Sequence, residues 1–322
     1  MITRDRFLDK YHITADEMAD SGFSWDELTA IYDDFSGKRE VYRGLLDKFQ
    51  KDYLDPLLLA GEGERPVVHS LHSRVKDPEH LMAKAVRRKC ENFKKYRSMD
   101  ASNYERFFTD LAGVRCLLLF KADWQELHTH LVSEIDDDSS LYVNDRCLEM
   151  FDPDPSHVYH AERPKVHIRN GDDDKIYKEL LSPEQVSSGK VYRSAHYIIK
   201  YGGIYLEIQA RTLFEESWGE IDHAVVYPYH TDDPVLKEYT ELLNRLSGLA
   251  DEMASFFVRI QELESKLMPV QDDPVSQTAD GEKTTASESL VSTEAGFDDN
   301  TISLDSAEES PLGMIRSIVR SE

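Results

Sequence analysis

The stretch KVYRSAHYIIKYGGIYLEIQART, at Lys190 to Thr212, constrains the fold of this chain more than any other part of the sequence. Two runs rich in β-branched and aromatic residues flank the pair Gly202-Gly203. Adjacent glycines can both adopt the positive φ angles that a two-residue hairpin turn requires. The sequence therefore predicts two antiparallel strands joined by these glycines.

Polar side chains recur at every second position of both predicted strands. Alternate residues of a strand lie on the same face, so each strand collects its polar groups on one side. A polar face of this kind needs solvent or a ligand to satisfy it, and we interpret it as part of a binding site. The set comprises Tyr192, Ser194 and His196 on the first strand and Glu207, Gln209 and Arg211 on the second.

The composition is that of a globular protein with its own core. The chain has 322 residues, of which 40% are hydrophobic, and this is enough apolar material for a sizeable core. It contains no run of eighteen apolar residues, and the N-terminal stretch is charged from Arg4 onward, so we expect neither a membrane span nor a secretory signal. We therefore expect a cytoplasmic protein. The widely spaced Cys90, Cys116 and Cys147 favour buried reduced thiols over disulfides or a zinc site.

The charge of the chain is unevenly distributed. A net charge of −24 argues against general nucleic-acid binding, which requires a basic field. Residues 269–322 are rich in Ser, Thr and acids, with Phe297 as their only aromatic residue, and we predict a disordered acidic tail there. In contrast, Lys84 to Arg97 carries seven basic residues in fourteen positions. This basic island indicates a place where anions bind.

The spacing of apolar residues divides the chain into regions. Apolar residues three and four apart predict a helical N-terminal region over 1–60 and a C-terminal helix within 231–268. Residues 61–230 hold the predicted strands, and 136–189 form a long acidic insertion that is mostly irregular. The apolar side of the C-terminal helix could pack on the domain or on a second copy of the chain, so a homo-oligomer is possible. After the hairpin, a helix carries an apolar stripe that we expect in the core: Phe214, Trp218, Ile221 and Val225.

A cluster of basic residues is predicted where a strand meets a helix. The run VVHSLHSRVK alternates as a strand, which places Arg74 and Lys76 on one face. A helix then starts at Asp77-Pro78, and it carries His80 and Lys84 four residues apart on one side. This arrangement favours a polyphosphate site, because Arg offers a fork of donors and Lys a mobile charge. A solvated basic helix face is the alternative.

Two acids are candidates for a metal site. Asp110 lies just before the buried strand at the end of FFTDLAGVRCLLLF, where Gly113 permits close backbone approach. By itself this acid could be a cap or a salt-bridge partner. Together with Glu207 it would form a pair of hard oxygen ligands suited to Mg²⁺.

Four motifs in this order resemble the RelA/SpoT-type alarmone synthetase family: SRVKDPEHLMAK, DLAGVR, VYRSAHY and EIQART. WGEIDH, after the last of them, strengthens the resemblance, which spans about Val67 to Pro228. The resemblance implies an α/β fold, with a nucleotidyltransferase-like mixed sheet flanked by helices and helical extensions at both ends. It also implies transfer of pyrophosphate from ATP to the ribose 3′-hydroxyl of GDP or GTP, which yields (p)ppGpp or a related alarmone.

The resemblance also implies a role for each site residue. Asp110 and Glu207 would bind Mg²⁺, and Glu207 would in addition activate the attacking hydroxyl. Tyr192 would stack on the guanine of the acceptor. Arg74, Lys76 and Lys84 match the residues that bind the phosphates of ATP in the family. We add His80 and Arg115 to the predicted phosphate site, although a Ser is common in the family at the position of His80. The remaining residues assigned to the acceptor nucleotide are Ser194, His196, Gln209 and Arg211.

Two further functions remain open from the sequence. One is pyrophosphorylation of the 3′ end of tRNA, as some toxic members of the family do. The other is a nucleotide-sensing module that has lost catalysis, and the presence of both Asp110 and Glu207 argues against it. The residues that could hold tRNA are Arg87, Arg88, Lys89, Lys94 and Lys95.

Overall fold

A computed structural model describes residues 2–61, 65–142, 154, 156–189, 192–226 and 233–267, and all of these fall within one compact unit. The predicted acidic tail, residues 269–322, lies outside the described residues, as does Cys147. None of the described helices combines the length and the apolar character that a bilayer span requires.

Three helices form the N-terminal part, as predicted: α1 (Arg4–Lys10), α2 (Ala15–Asp20) and α3 (Trp25–Phe49). Ser24 caps α3 through a reciprocal box. Its hydroxyl accepts a hydrogen bond from the Glu27 amide at 3.2 Å, and the Glu27 carboxylate accepts one from the Ser24 amide at 2.8 Å. One side of α3 is buried in the main core, which the helix shares with the sheet, through Leu28, Ile31, Phe35, Tyr42, Leu46 and Phe49.

The remaining strands and helices fall into three groups along the chain. The first group comprises β1 (Ser70–Val75), α4 (Pro78–Glu91), α5 (Phe93–Tyr96), β2 (Ala112–Leu118) and α6 (Asp123–Glu134). The second group comprises β3 (Tyr159–His160), β4 (Lys165–His167), α7 (Lys175–Lys178) and β5 (Val186–Ser187). The last group comprises β6 (Ser194–Tyr201), β7 (Ile204–Thr212), α8 (Leu213–Val225) and α9 (Pro234–Leu267).

The strands form one mixed sheet in the order β1-β2-β7-β6-β4-β5, with β3 also paired to β6. The β2-β7 and β4-β5 pairs are parallel, and the other pairs are antiparallel. The predicted α/β class, with a mixed sheet flanked by helices, is therefore confirmed. The region 136–189 is less irregular than expected, because β3, β4 and β5 all lie within it.

The hairpin at the centre of the sheet forms as the sequence predicts. β6 and β7 are antiparallel, and Gly202 and Gly203 connect them with φ angles of +56° and +80°. Both angles lie in the region that glycine tolerates better than other residues. The Gly-Gly pair therefore sets the register that places His196 opposite Gln209.

The two faces of the sheet have opposite chemistry. Paired residues on neighbouring strands share a face. One face carries Val114, Ile208 and Tyr197, which are buried in the main core. The other face carries a row of polar residues across five strands. That row consists of His72, Arg115, Gln209, His196 and Lys165.

Helix α8 has the reverse of its predicted orientation. Of the expected core stripe only Trp218 is buried, whereas Phe214, Ile221 and Val225 are 40–44% exposed. Glu215 and Glu216 face inward instead. Glu215 pairs with Arg169 of the loop after β4, and Glu216 pairs with Arg115 of β2, and both arginines are partly buried. The expectation of an apolar inner stripe was wrong, because ion pairing of these two acids decides which side of α8 faces the domain.

The cysteines agree with the sequence only in part. Cys116 is buried and free, as predicted, and burial raises its pKa to about 12. Cys90 is also free but exposed, so the prediction that it is buried was wrong. Its thiol donates a hydrogen bond to the backbone carbonyl of Glu17 at 3.2 Å, on the surface between α4 and α2.

We predict that Gly113→Ala destabilises the protein. Gly113 pairs with Glu207 across the parallel β2-β7 ladder, and an added Cβ would lie 2.6 Å from the Glu207 carbonyl oxygen. Relief of this clash must move backbone, so we expect a loss of roughly 1–3 kcal/mol in the free energy of unfolding. The measurement is urea denaturation, with Gly37→Ala as the matched control. Gly37 lies in α3 with nothing within 4 Å of its added Cβ, and that variant should unfold no more easily than the parent. Equal stability of the Gly113 variant and the parent would contradict the predicted clash.

Candidate active site

A cleft of about 960 Å³ opens between the end of β1, the helix α4 and the C-terminal half of α8. The Asp77 side chain caps α4 by accepting hydrogen bonds from the amides of Glu79 and His80, which fixes the start of the helix beside the strand end. The cleft brings together all the residues that the sequence analysis assigned to phosphate binding. The lining includes Arg74, Lys76, His80, Lys84 and Arg115, together with Asp110.

Asp110 forms the centre of this cleft. The ammonium groups of Lys76 and Lys84 each donate to its Oδ2 at 2.6 Å. Burial favours the neutral acid, but the two lysines outweigh burial and hold the pKa of the Asp110 carboxyl well below its usual range. Burial lowers the pKa of Lys84, and Asp110 opposes that change. The site thus holds a fully ionised carboxylate between two amines.

Two basic residues at the rim are less engaged. Arg74 is exposed and forms no hydrogen bond or ion pair with the residues that the structure describes. The His80 ring meets the Tyr11 ring edge-on, with centroids 5.4 Å apart, and burial lowers the pKa of His80. The rim therefore offers one guanidinium and one largely neutral imidazole to a ligand.

Arg115 is held by helix α8. Its guanidinium donates to Glu216 Oε1 at 2.6 Å and also contacts Glu220. Burial lowers the pKa of Arg115, and the two acids more than compensate and raise it. Glu216 also lies 3.6 Å from Arg211. These acids were not predicted from the sequence as part of the site, although their spacing of four residues on one side of a helix was a usable signal.

Glu207 projects from the polar face of β7 and is 19% exposed. His196 Nδ1 lies 3.2 Å from its Oε1, and Gln209 donates to its Oε2 at 2.9 Å. Burial raises the pKa of Glu207, but the contacts with His196 and Gln209 outweigh burial, so the net pKa is lowered. The negative charge of Asp110 acts in the opposite direction. The two predicted acids thus interact electrostatically, and neither points into a dry core.

Buried atoms of this site lack hydrogen-bond partners. Within the part of the chain that the structure describes, three of the site residues predicted from the sequence each have one such atom, namely Asp110 Oδ1, His196 Nε2 and Gln209 Oε1. Buried polar atoms are usually satisfied, so unsatisfied ones indicate a place where a ligand, a water or an ion binds. All three belong to residues that the sequence had singled out.

An aromatic cluster lies at the other end of the polar face. The Tyr192 ring lies 5.7 Å from His167 and 6.3 Å from His196, and the Arg211 guanidinium lies 5.5 Å from the Tyr192 centroid. His167 and His196 are 5.1 Å apart. His167 was not predicted from the sequence, although the alternation of Lys165, His167 and Arg169 was a signal for a polar strand face.

The beginning of β6 is anchored by buried charges. Arg193 contacts Asp251 of α9, lies 3.4 Å from Asp172, and donates its amide to Glu215 at 3.2 Å. Ser194 is buried, and its hydroxyl donates to the Ala210 carbonyl and accepts from Arg211. Ser194 therefore contacts protein rather than the open part of the site, and it helps to orient Arg211.

The donor set suits a hard divalent ion only in combination with a ligand. Among the described residues no group of three or more His, Cys, Asp or Glu side chains could hold a metal. Asp110 offers one unpartnered oxygen, and Glu207 is a second ionised carboxylate that interacts with it electrostatically. Mg²⁺ typically takes one or two protein carboxylates and completes its shell with water and phosphate, so these residues fit it.

Comparison with known proteins identifies the family. A profile of the region found in RelA / SpoT proteins matches residues 73–232. GTP pyrophosphokinase YwaC of Bacillus subtilis is 23% identical over 238 residues, which cover 70% of this chain and 89% of that protein. The solved small alarmone synthetase 1 of Bacillus subtilis is 20% identical, with a TM-score of 0.44, over 69% of this chain and 94% of that one. A GTP pyrophosphokinase family protein from Streptococcus pneumoniae is 21% identical, with a TM-score of 0.40, over 83% of this chain and 100% of that one. Through residues 73–232, which contain every predicted site residue, this chain belongs to the RelA/SpoT family.

Proposed function

We propose that this protein is an ATP:nucleotide 3′-pyrophosphokinase that makes (p)ppGpp or a related 3′-pyrophosphorylated nucleotide from ATP and GDP or GTP. The observation that carries the proposal is the cationic cleft around Asp110, in which the ammonium groups of Lys76 and Lys84 both donate to one carboxylate oxygen. The name of the Bacillus subtilis relative, GTP pyrophosphokinase, supports the same reaction class.

The cationic cleft is suited to the triphosphate of ATP. Lys76 and Lys84 both point at one carboxylate oxygen, so their charges are concentrated in a small volume. Arg74 adds a fork of donors with no hydrogen-bond or ion-pair partner among the described residues. Transfer of a pyrophosphoryl group needs little covalent help from protein, since positioning and charge neutralisation supply most of the catalysis.

Asp110 and Glu207 are the residues that would hold Mg²⁺. A bound Mg²⁺ would neutralise charge on the donor phosphates. The chain itself keeps both acids ionised, through Lys76 and Lys84 at Asp110 and through His196 and Gln209 at Glu207.

Glu207 is the proposed general base. In the reaction the 3′-oxygen of the acceptor attacks the β-phosphorus of ATP, the bond from that phosphorus to the α,β-bridging oxygen breaks, and AMP leaves. The hydroxyl proton passes to the Glu207 carboxylate, which must lie within about 3 Å of the 3′-oxygen in the bound complex. The lowered pKa of Glu207 provides the ionised form that accepts this proton at neutral pH.

The aromatic cluster is the proposed acceptor site. Tyr192 offers a ring on which a guanine base can stack, and Arg211 lies beside it. His167 and His196 close the same side, and His196 also contacts the proposed base. His196 of β6 therefore contacts both Tyr192, the proposed platform for the base, and Glu207, the proposed general base.

The tRNA alternative gains no support from the basic island. Lys89 is buried, with its ammonium 3.5 Å from the centroid of the Phe23 ring, so it does not belong to an exposed basic surface. Arg88 is paired with Glu91 at 2.8 Å. Arg87 and Arg88 line the cleft itself, where they extend the cationic wall next to Lys84.

The direct test is incubation with ATP labelled in its β and γ phosphates, with Mg²⁺, against GDP, GTP, ADP and deacylated tRNA. Label on GDP or GTP is the expected result, and Glu207→Gln should lower the rate by roughly 10²–10⁴-fold because the general base is lost. The matched control is Glu134→Gln, which removes an exposed acid from α6. Both variants should unfold near the parental temperature. Label on tRNA alone selects the alternative reaction, and absence of transfer to any acceptor overturns the proposal.

A second prediction concerns anion binding without metal. Asp110 competes with an added anion for Lys76 and Lys84, so Asp110→Asn should tighten the binding of inorganic pyrophosphate in the presence of a chelator. We expect an effect on the order of tenfold, equivalent to about 1.4 kcal/mol. Isothermal titration calorimetry measures it, with Asp33→Asn, an exposed acid of α3, as the control of equal charge change. Weaker binding to the Asp110 variant would contradict the competition.

A further inference from the structure

Tyr192 lies beyond the hydrogen-bonded part of its strand. The strand β6 begins at Ser194, which pairs with His167 of β4. Tyr192 precedes this first paired residue, so the backbone ladder of the sheet does not reach it. Its ring nevertheless faces His167 and the Arg211 guanidinium, which lie 5.7 and 5.5 Å from the ring centroid. Contacts outside the ladder therefore have to hold the ring in this place.

The next residue, Arg193, is deeply buried and carries a charge. Successive residues of an extended segment point to opposite sides, so its side chain leaves the polar face and reaches α8 and α9. The guanidinium contacts Asp251, and it lies 3.4 Å from Asp172 Oδ2 and 3.9 Å from Glu215 Oε1. The backbone amide of Arg193 also donates a hydrogen bond to Glu215 Oε2 at 3.2 Å. Both the side chain and the backbone of this residue are thus fixed.

The acids around Arg193 come from three different parts of the fold. Asp172 lies in the loop between β4 and α7, Glu215 lies in the first turn of α8, and Asp251 lies in α9. Glu215 and Asp251 are each 1% exposed. Removing one partner of a buried ion pair is costly, because the remaining charge is left without a counterion and without water. The loop and the two helices are therefore held to Arg193.

Two further side chains connect these acids to one another. Thr212, the last residue of β7, donates its hydroxyl to Asp251 Oδ2 at 2.9 Å and accepts the Glu215 amide at 3.3 Å. Arg169 contacts Glu215 and lies 3.5 Å from Asp172. The ion pairs thus form one connected network beneath Tyr192. We call its five charged residues the Arg193 anchor, namely Arg169, Asp172, Arg193, Glu215 and Asp251.

We propose that the Arg193 anchor positions Tyr192 for the acceptor nucleotide, with Asp251 of α9 as the positioning residue that fixes Arg193. This inference rests on the proposed function, in which the guanine base stacks on the Tyr192 ring. A ring that is held in place before binding avoids the cost of being ordered by the ligand. Asp251 lies C-terminal to residues 73–232, which the family profile matches. The C-terminal helix thus acts on the acceptor half of the site without touching the substrate.

The other parts of the proposed site do not depend on the anchor. Lys76 and Lys84 are held by Asp110 across β1, α4 and the loop before β2, none of which carries an anchor residue. Glu207 and Gln209 lie within the β6-β7 ladder, so the sheet itself keeps them in place. Loss of the anchor should therefore weaken acceptor binding and leave both ATP binding and the proposed general base unchanged.

Steady-state kinetics of the full chain test this selectivity. Asp251→Asn removes the charge that pairs with Arg193 and keeps an oxygen for the Thr212 hydroxyl. We expect its KM for GDP or GTP to rise roughly tenfold, because the ring then has to be ordered on binding. Its KM for ATP and its kcat should stay within about twofold of the parental values. The matched control is Glu252→Gln, which removes the neighbouring acid of α9, 45% exposed and paired with Lys121, and should change neither KM. A parallel rise of both KM values in the Asp251 variant, or no rise, overturns the proposal.

A double-mutant cycle tests whether Asp251 acts through Tyr192. In a Tyr192→Leu background, Asp251→Asn should raise the KM for GDP or GTP by less than about twofold, because no ring is left to position. Asp172→Asn is a milder second variant, since the Asp172 side chain is 14% exposed and two other acids still face Arg193. It should show the same pattern with a smaller rise. Equal effects of Asp251→Asn with and without the Tyr192 ring indicate a general loosening of the fold and overturn the proposal.

Hydrogen exchange followed by mass spectrometry measures the anchor without any nucleotide. The Arg193 amide is buried and donates to Glu215, so the parent should exchange it slowly. In Asp251→Asn we expect exchange in peptides that cover Tyr192 to Ser194 to accelerate on the order of tenfold, whereas peptides from the middle of β7 stay protected. Glu252→Gln should exchange like the parent.

The exchange measurement separates failure of this inference from failure of the proposed function. A parent chain that transfers no pyrophosphate overturns the proposed function, and the exchange pattern still decides whether Asp251 fixes the segment at Tyr192. Unchanged exchange of that segment in Asp251→Asn overturns the anchor, whatever reaction the protein performs.

Discussion

The contact of two lysines with one carboxylate is the interaction on which the cleft depends. Lys76 follows the edge strand β1 and Lys84 lies on α4, and both reach Asp110 Oδ2 at 2.6 Å. Without that acid, two ammonium groups would share a partly buried space with no counterion, at a cost of several kcal/mol. Asp110 thus holds β1, α4 and the loop before β2 in one arrangement. It also keeps two ammonium groups at the place where the anionic phosphates of the proposed substrate would bind.

The same principle explains why α8 and α9 face the domain with their polar sides. Arg193 is buried and Arg115 is partly buried, and each requires acids to offset the loss of hydration. Glu216 on α8 and Asp251 on α9 meet this requirement. Once ion pairs determine the inner side of a helix, its apolar residues must occupy the outer side. The exposed apolar residues of α8 and α9 are therefore consequences of these ion pairs.

Local periodicity in the sequence predicts the hairpin and the faces of its strands. It does not predict the orientation of an element that is set by contacts with residues distant in the chain. The Gly202-Gly203 turn and strand alternation are local, so the shared face of His196, Glu207 and Gln209 follows from the sequence alone. The orientation of α8 is not local, because a helical pattern reveals two sides without showing which one meets an arginine. The strands β3, β4 and β5 are only two or three residues long. The alternation at Lys165, His167 and Arg169 is therefore a weak signal, and it does not show that His167 meets Tyr192.

Helix α9 has two sides with different surroundings. Its inner side holds Arg193, which lies between Tyr192 and Ser194 at the start of the strand that carries the proposed acceptor site. Its outer side carries exposed apolar residues, among them Leu246 and Leu249. Because the buried Asp251 ties the helix to that strand, movement of α9 relative to the sheet would strain the Arg193 contact before it disturbed the cationic cleft around Asp110. The proposed acceptor half of the site therefore depends on the position of α9, whereas the proposed phosphate half depends on β1 and α4.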